Sequence, residues 1–290
     1  MKSMYQEPSP IWLRYSVLLL TLRVRCFDSN CRQFINYFVG NAVLKNKVVV
    51  VTGAGSGLGR ALSKAFCAEG AKVVGVGRSL ETLEQTHASI DTDKKDLFSF
   101  FQADIGQWSD VQDAIASIKD NHGRIDYLYN NAAVYPKVSF LEESAENFAH
   151  AININVVGMA NVCKAVLPVM VEQKAGRIFN LGSWADLSPI ADSAAYSASK
   201  GAVHALTKAI AADICHLNLD VQVHEWIPGH LNTQMSDYTG IDPALSATWG
   251  VMLAQRDNDK NNCLFDRDQE WLPPKSLKQR IKAKLLFWKK

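Results

Sequence analysis

From residue 46 onward, short apolar runs alternate with longer stretches in which apolar residues recur at helical spacing. Residues 47–52 read KVVVVT, a β-branched run typical of a strand buried on both faces. The same reasoning predicts five further strands, at 72–76, 97–103, 125–129, 177–181 and 221–227. Helices are predicted between them, at 57–69, 108–121, 144–173 and 194–217, with a polar helix between the second and third strands.

This alternation of strands and helices predicts an α/β fold: a Rossmann-type doubly wound parallel sheet with helices on both faces, in a single domain. Parallel strands need right-handed crossovers, and the predicted helices have the length to make them. Beyond Gly240 the pattern weakens, although residues 263–265 could form a last short strand.

The two ends of the chain carry different signals. Residues 11–24 are rich in apolar side chains, but Arg14 and Arg23 interrupt them, so the run is too short to span a bilayer. An amphipathic segment, packed on the protein or on a membrane surface, is predicted there. Residues 276–290 form a basic amphipathic helix by their pattern, which fits either an anionic membrane surface or packing on the body.

Composition narrows the class of protein. The net charge is only +2, and the last 16 residues carry seven basic groups and no acid, so the rest of the chain is net acidic. A nucleic-acid partner is therefore not expected. The six cysteines are irregularly spaced, which predicts reduced thiols, no metal site and a cytoplasmic location, with membrane association left open by the two ends.

A glycine-rich segment, TGAGSGLG at residues 52–59, lies between the first predicted strand and the first predicted helix. Glycines there allow a tight turn and let the backbone approach a pyrophosphate, and the following helix directs its free N–H groups at the phosphates. The candidate cofactor residues in this turn are Gly53, Ser56, Gly57, Leu58 and Gly59.

Two residues at the ends of the next strands bear on the kind of dinucleotide. The second strand ends in VGRS, with Arg78 where an acid would bind the ribose hydroxyls of NAD. An arginine can instead pair with the 2′-phosphate of NADP, so NADPH is predicted to be preferred over NADH. Asp104 follows the third strand and could contact the adenine or cap a helix.

A candidate catalytic pair lies at Tyr196 and Lys200, in the segment YSASK that opens a predicted helix. Residues four apart share a helical face, so the ammonium can approach the phenol and lower its pKa. Such a tyrosine can donate a proton to a carbonyl oxygen or take one from an alcohol. Ser183, just past the fifth strand, could hydrogen-bond the substrate oxygen, and Asn155 is a polar residue amid apolar neighbours.

Taken together, these segments resemble the short-chain dehydrogenase/reductase family over about residues 46 to 235. The order and spacing of the following motifs agree with that family: TGxxxGxG at 52–59, NNA at 130–132, NxxG at 155–158, Ser183, YxxxK at 196–200 and PG at 228–229. The chain departs from the family pattern at Ala133, where NNAG is usual, and it lacks the glycine-rich ending common in the family.

The resemblance implies roles for single residues. Tyr196 would be the general acid/base, and Lys200 would hold the nicotinamide ribose and depress the pKa of the tyrosine. Ser183 would orient the substrate oxygen, and Asn155 would fix a water in a proton relay through Lys200. The remaining implied cofactor contacts are Asn131, Pro228, Gly229 and Thr233, together with Tyr196 and Lys200 themselves.

The sequence therefore predicts an NADP(H)-dependent oxidoreductase that moves a hydride between nicotinamide and a carbonyl or secondary alcohol of a small molecule. Two alternatives remain: a non-redox enzyme, such as an epimerase or dehydratase, and a non-catalytic dinucleotide-binding protein. The predicted organisation is an extension over 1–45, a dinucleotide-binding catalytic domain over 46–240 and a divergent segment over 241–290. The resemblance also leaves a homo-oligomer open.

Overall fold

The computed structural model describes residues 44–256 and 260–272. Within them, eight strands form one sheet in the order β3-β2-β1-β4-β5-β6-β7-β8. Neighbouring strands are parallel as far as β7, and only the β7–β8 pair is antiparallel. This is the doubly wound order in which the chain first winds outward from β1 to β3 and then crosses back to β4.

The strands are β1 (Val48–Thr52), β2 (Lys72–Gly77), β3 (Phe98–Gln102), β4 (Tyr127–Asn130), β5 (Ala175–Leu181), β6 (Asp220–Ile227), β7 (Leu264–Asp266) and β8 (Gln269–Glu270). The α-helices are α1 (Gly57–Ala68), α2 (Leu80–Ala88), α3 (Trp108–His122), α4 (Ala145–Ile152), α5 (Met159–Glu172), α6 (Ala194–Cys215) and α7 (Pro243–Gln255). Short 3-10 helices cover Thr92–Leu97, Trp184–Asp186 and Gln234–Ser236, and a π-helix covers Asn153–Gly158.

Helices cover the sheet on both faces, and each face has its own apolar cluster. The first cluster joins the sheet to α1, α2 and α7, and the second joins it to α3, α5 and α6. All five residues of β1 are buried because this central strand is covered on both sides, which is why its sequence is a run of valines rather than an alternation. The predicted fold class is confirmed, and the described residues form one domain around this sheet.

Most predicted elements lie where the pattern put them, with boundaries one or two residues away. Residues 264–266 do form a seventh strand, paired with β6. The helix predicted over 144–173 consists of α4 and α5, joined through the π-helix. Among the strands and α-helices, two were not predicted: α7, which packs beside α1, and the two-residue strand β8.

One helical stretch in the described residues, Ala145–Glu172, is long and apolar enough to cross a membrane. Half of its most apolar window is buried inside the fold, and its residues Val162, Val166 and Met170 belong to the second apolar cluster. This is the packing of a core helix of a doubly wound domain. The apolar segment predicted at 11–24 and the basic helix predicted at 276–290 lie outside the described residues.

Candidate active site

The glycine-rich segment lies at the point where the sheet changes its winding direction. It follows β1 directly, and β1 is flanked by β2 on one side and β4 on the other. Chains leaving β1 and β4 at the carboxyl edge diverge to opposite faces, which opens the crevice where doubly wound sheets bind ligands. Gly53 and Asn131, the first residues past these strands, meet at this crevice.

Three glycines shape the turn into a shallow cradle. Gly53 and Gly57 have positive φ angles of 67° and 49°, which residues with a Cβ rarely adopt. A Cβ on Gly59 would overlap the carbonyl oxygen of Gly53 and lie 2.7 Å from Asn131 Nδ2. The absence of side chains at these positions therefore allows α1 and the turn to pack closely, and it leaves room for phosphate above them.

Thr52 and Asn131 hold the turn to the neighbouring strand. The Thr52 hydroxyl oxygen accepts hydrogen bonds from the backbone N–H groups of Asn131 and Ala132, each at 3.0 Å. Asn131 Nδ2 donates in return to the carbonyl of Thr52 at 2.9 Å. Asn131 thus supports the cradle from behind, and Thr52 is a site residue that the sequence analysis did not single out.

The remaining residues of the turn divide between surface and core. Ser56 is the N-cap residue of α1; it is exposed, and its side chain makes no capping hydrogen bond. Leu58 is buried in the first apolar cluster, so only its backbone can face a ligand. Arg60 braces the turn through Nη2, which donates to the carbonyl of Gly55 at 2.6 Å. The N-terminus of α1 thus has a hydroxyl that makes no capping hydrogen bond, and a helix N-terminus of this kind can bind an anion.

Arg78 and Asp104 follow β2 and β3 at the same edge of the sheet. Arg78 is exposed, and its backbone carbonyl accepts a hydrogen bond from Gln102 Nε2 at 2.9 Å. Asp104 Oδ1 accepts from the backbone N–H of Gly106 at 2.9 Å. The alternative interpretation of Asp104 as a helix cap is wrong, because Gln107 is the N-cap residue of α3 and the aspartate closes a turn before it.

Ser183, Tyr196 and Lys200 come together beyond the end of β5. Tyr196 and Lys200 lie one turn apart on α6, with Lys200 Nζ 5.5 Å from the centroid of the Tyr196 ring. Lys200 is 5% exposed, and its Nζ donates to the carbonyl of Leu181 at 2.7 Å. The Ser183 hydroxyl is hydrogen-bonded to that of Tyr196 and accepts from the backbone N–H of Ala185 at 3.1 Å.

Burial dominates the electrostatics of this group. It raises the pKa of Tyr196, the hydrogen bond with Ser183 lowers it, and Tyr135 raises it further, so that the net direction is upward. The lowering expected from Lys200 is therefore not found in this structure. Burial lowers the pKa of Lys200 to about 8, against an opposing effect of Glu225. An ammonium in so dry a site loses hydration that nearby anions only partly replace.

Asn155 lies in the π-helix and links three segments. Its Nδ2 donates to the carbonyl of Val134 and to the hydroxyl of Ser199, both at 2.9 Å, and its Oδ1 accepts from the backbone N–H of Val134 at 2.8 Å. Ser199 in turn donates to the carbonyl of Tyr196 at 2.6 Å. The side chain of Asn155 therefore ties the loop after β4 to α6.

The segment after β6 approaches the glycine turn through Thr233. Gly229 has a φ angle of 94°, and the carbonyl of Pro228 accepts from the hydroxyl of Ser246 at 3.1 Å. Thr233 is the N-cap residue of the 3-10 helix Gln234–Ser236, and its methyl group would lie 3.1 Å from a Cβ on Gly57. Of the three predicted residues, Thr233 is thus the one that lies against the glycine turn, whereas Pro228 and Gly229 lie just past β6, with Gly229 beside Ile241 and Arg267.

Tyr135 is a further site residue that the sequence analysis missed. Its ring is stacked on that of Tyr196, with the centroids 4.6 Å apart and the planes 20° from parallel. It follows β4 by five residues, so its position after a strand that ends at the crevice is the signal that could have identified it. The stacked ring limits how a substrate can approach the Tyr196 hydroxyl.

Comparison with known proteins agrees with this geometry. The family model of short chain dehydrogenases matches residues 47–243. The chain belongs to the short-chain dehydrogenase/reductase family. A 2-(R)-hydroxypropyl-CoM dehydrogenase of Xanthobacter autotrophicus is 36% identical over 203 residues, which are 69% of this chain and 80% of that protein. The chain is thus an oxidoreductase of a family that acts on CH–OH and C=O groups with NAD(P).

Solved structures of the family share the fold. A metagenomic short-chain oxidoreductase in complex with NADP is 26% identical, with a TM-score of 0.66 over 77% of this chain and 98% of its own. A 3-ketoacyl-(acyl-carrier-protein) reductase from Brucella melitensis, complexed with NADH, is 25% identical, with a TM-score of 0.69 over 78% of this chain and all of its own. These two dehydrogenase/reductases hold different nicotinamide cofactors, so the likeness supports a dinucleotide site without choosing between NADP and NAD.

Proposed function

We propose that the chain catalyses NADP(H)-dependent hydride transfer between nicotinamide and a carbonyl or secondary alcohol, with Tyr196 as the general acid/base. The observation that carries the proposal is the grouping of Ser183, Tyr196 and Lys200 at the same edge of the sheet as the glycine cradle. The group of three polar residues alone, or the glycine cradle alone, would fit another function. Together they provide a site for a hydride carrier and a proton donor for one substrate.

The cradle fits the dinucleotide by its own geometry. Gly53, Gly57 and Gly59 leave a surface without side chains, and the exposed Ser56 and the free end of α1 provide donors for a diphosphate. Thr233, which lies against Gly57, would face the nicotinamide half across the turn. When bound, the cofactor supplies or accepts the hydride, and the chain's residues handle the proton and the orientation.

Tyr196 transfers the proton in the proposed reaction. In reduction its hydroxyl donates to the substrate oxygen, which gains the proton as the carbonyl carbon gains the hydride; in oxidation both move in reverse. The Ser183 hydroxyl, already hydrogen-bonded to Tyr196, can bond the same oxygen and hold it in line. The buried Lys200 ammonium stabilises the phenolate that forms when the proton leaves.

A substrate panel monitored at 340 nm tests the reaction class directly. We expect NADPH oxidation with ketones or NADP reduction with secondary alcohols, the class that includes the hydroxypropyl group in the name of the Xanthobacter relative. Substrate conversion without a change in nicotinamide absorbance would favour an epimerase or dehydratase. Nucleotide binding without any conversion would favour a non-catalytic protein.

The choice of NADP rests on Arg78, which is exposed at the end of β2. We expect Arg78→Ala to weaken NADPH binding by about 1–3 kcal/mol and to leave NADH nearly unchanged, since only NADPH carries the 2′-phosphate. Fluorescence titration of both cofactors measures this.

Arg60 offers a matched control for that experiment, because its guanidinium bonds inside the protein, to the carbonyl of Gly55 and to Thr86 Oγ1. Arg60→Ala should weaken both cofactors alike by loosening the turn. Equal weakening of NADPH and NADH by Arg78→Ala would refute a role for Arg78 in reading the 2′-phosphate.

The basic segment 276–290 adds a proposal about location. We expect truncation before Lys275 to reduce binding to anionic vesicles, since each nearby lysine contributes roughly 1 kcal/mol at such a surface. Hydride transfer should survive the truncation, because all the proposed site residues precede it. Vesicle sedimentation at low and high salt measures the binding; no binding of the intact chain at low salt would rule out the membrane interpretation.

A further inference from the structure

We propose that Glu225, oriented by His204, is a positioning residue that keeps Lys200 in its ammonium form during turnover. This inference rests on the proposed function, because it concerns the lysine that serves Tyr196. The evidence is a series of polar side chains in contact, Lys208 and His204 on α6 and Glu225 on β6, to which the proposed mechanism assigns no role.

Glu225 is a buried acid near the carboxyl end of β6. It lies on β6, is 3% exposed, and its Oε2 is 2.5 Å from His204 Nδ1 on α6. Its second oxygen, Oε1, is buried without a hydrogen-bond partner among the described residues. A buried carboxylate oxygen left without a donor is costly unless a nearby positive charge compensates it.

The protonation of His204 follows from its other neighbour. Lys208 Nζ lies 2.7 Å from His204 Nε2, and an ammonium group can only donate. His204 Nε2 is therefore the acceptor, and the ring proton lies on Nδ1, where it donates to Glu225. The His204 donor thus favours the ionised carboxylate, in opposition to burial, which is the larger effect and makes the net shift in the pKa of Glu225 upward.

The Glu225 Oε1 atom lies next to the stretch of backbone that binds Lys200. A Cβ on Gly182 would overlap Glu225 Oε1, so the carboxylate is packed against this glycine. The residue before it, Leu181, provides the carbonyl that accepts from Lys200 Nζ at 2.7 Å. Glu225 and Lys200 interact electrostatically, and the carboxylate raises the pKa of the ammonium against the effect of burial.

The charged groups around the carboxylate come from two elements. His204 and Lys200 face it from α6, and Asp186 faces it from the 3-10 helix Trp184–Asp186. The residue before β7 adds a backbone contact: the Glu225 N–H donates to the carbonyl of Cys263 at 3.0 Å. Among the proposed catalytic residues, Lys200 is therefore the one whose pKa should fall when Glu225 becomes neutral.

The direct test is an NMR titration of the cofactor-free protein labelled with ¹³C at lysine Cε. The Lys200 signal is assigned by its loss in Lys200→Arg. The ammonium should titrate near the value of about 8 in the native chain, and about one pH unit lower in Glu225→Gln. His204→Ala should shift it in the same direction by less, and His204→Gln, which keeps a donor, should restore most of the native value.

A second readout is the pH dependence of carbonyl reduction at saturating NADPH. Reduction needs both a protonated Tyr196 and a protonated Lys200, so its activity falls as pH rises through their pKa values. Removing the carboxylate charge lowers the pKa of Lys200, and the alkaline limb should move to lower pH in Glu225→Gln. His216→Ala, just past α6, is the matched control and should leave the limb in place.

A purely structural role would give a different result: lower kcat at every pH, with the limb and the Lys200 titration unchanged. That outcome in a folded Glu225→Gln protein overturns the inference; if this variant does not fold, the same outcome in His204→Ala does so. Normal turnover in Tyr196→Phe would instead contradict the proposed function, so the two failures are distinguishable.

Discussion

Replacing Tyr196 with phenylalanine is expected to lower turnover at least ~100-fold, the usual effect of removing a proton-transfer group. The ring would keep its stacking on Tyr135 and its contact with Lys200, so the fold and the cofactor cradle should be preserved. Only the hydroxyl and its hydrogen bond with Ser183 would be lost. Steady-state kinetics at 340 nm with the best substrate from the panel gives the measurement.

Two controls make this result specific. NADPH affinity and the melting temperature should stay close to those of the native chain, because the hydroxyl supports neither the glycine turn nor the core. Tyr135→Phe removes a hydroxyl from the ring stacked on Tyr196 and should retain most of the activity, since stacking needs only the ring. Turnover of Tyr196→Phe close to native would contradict the assignment of Tyr196 as general acid/base.

Gly59→Ala should have the second-largest effect, on cofactor binding. The added Cβ would overlap the backbone oxygen of Gly53 and approach Asn131 Nδ2 at 2.7 Å, and backbone at a tight turn cannot move aside cheaply. Overpacking of this kind costs about 1–3 kcal/mol. Because the distortion falls on the phosphate cradle, we expect NADPH affinity to drop at least ~10-fold, as measured by fluorescence titration.

Gly201→Ala provides the matched control, since it makes the same change in a helix with space available. A Cβ there would lie 3.7 Å from that of Asp186, an ordinary contact. Alanine is the better helix former by about 1 kcal/mol, so this variant should bind NADPH normally and melt at the same temperature or higher. Native NADPH affinity in Gly59→Ala would show that the turn does not form the cofactor site.

The fold was largely predictable from the chain because each central strand is a dense apolar run and each crossover helix has a clear period. The helix α7 was missed since most of its positions are apolar: Ala247 and Val251 pack into the core, while Leu245 and Met252 are exposed. Such a segment has no polar face to reveal its period. Strand β8 is two residues long, too short for any pattern.

The proposed site was predictable where chemistry depends on local spacing. Tyr196 and Lys200 are four residues apart on one helix, and Ser183 and Asn131 each follow a strand that ends at the crevice. The hydrogen bonds of Asn155 were not predictable, because they join it to residues 21 and 44 positions away. The upward pKa shift of Tyr196 was missed for a related reason, since burial is a property of the assembled site.

The Glu225→Gln variant also shows how much folding stability the native chain loses by burying this carboxylate. A buried carboxylate beside an apolar sheet costs free energy unless its partners compensate it, and here His204 compensates one oxygen directly. A Glu225→Gln protein could therefore be as stable as the native chain while losing the charge that acts on Lys200. Stability and catalytic pH dependence are separable properties at this position.

The close packing of Gly182 against the Glu225 carboxylate has a consequence for how this site can change over evolutionary time. A side chain at 182 and an acid at 225 compete for the same space, so neither position can accept a larger residue by itself. A lineage that gains a side chain at 182 must therefore give up the acid at 225 or move it aside. The two positions are 43 residues apart in the chain, one directly after β5 and the other on β6, yet a substitution at either constrains the other.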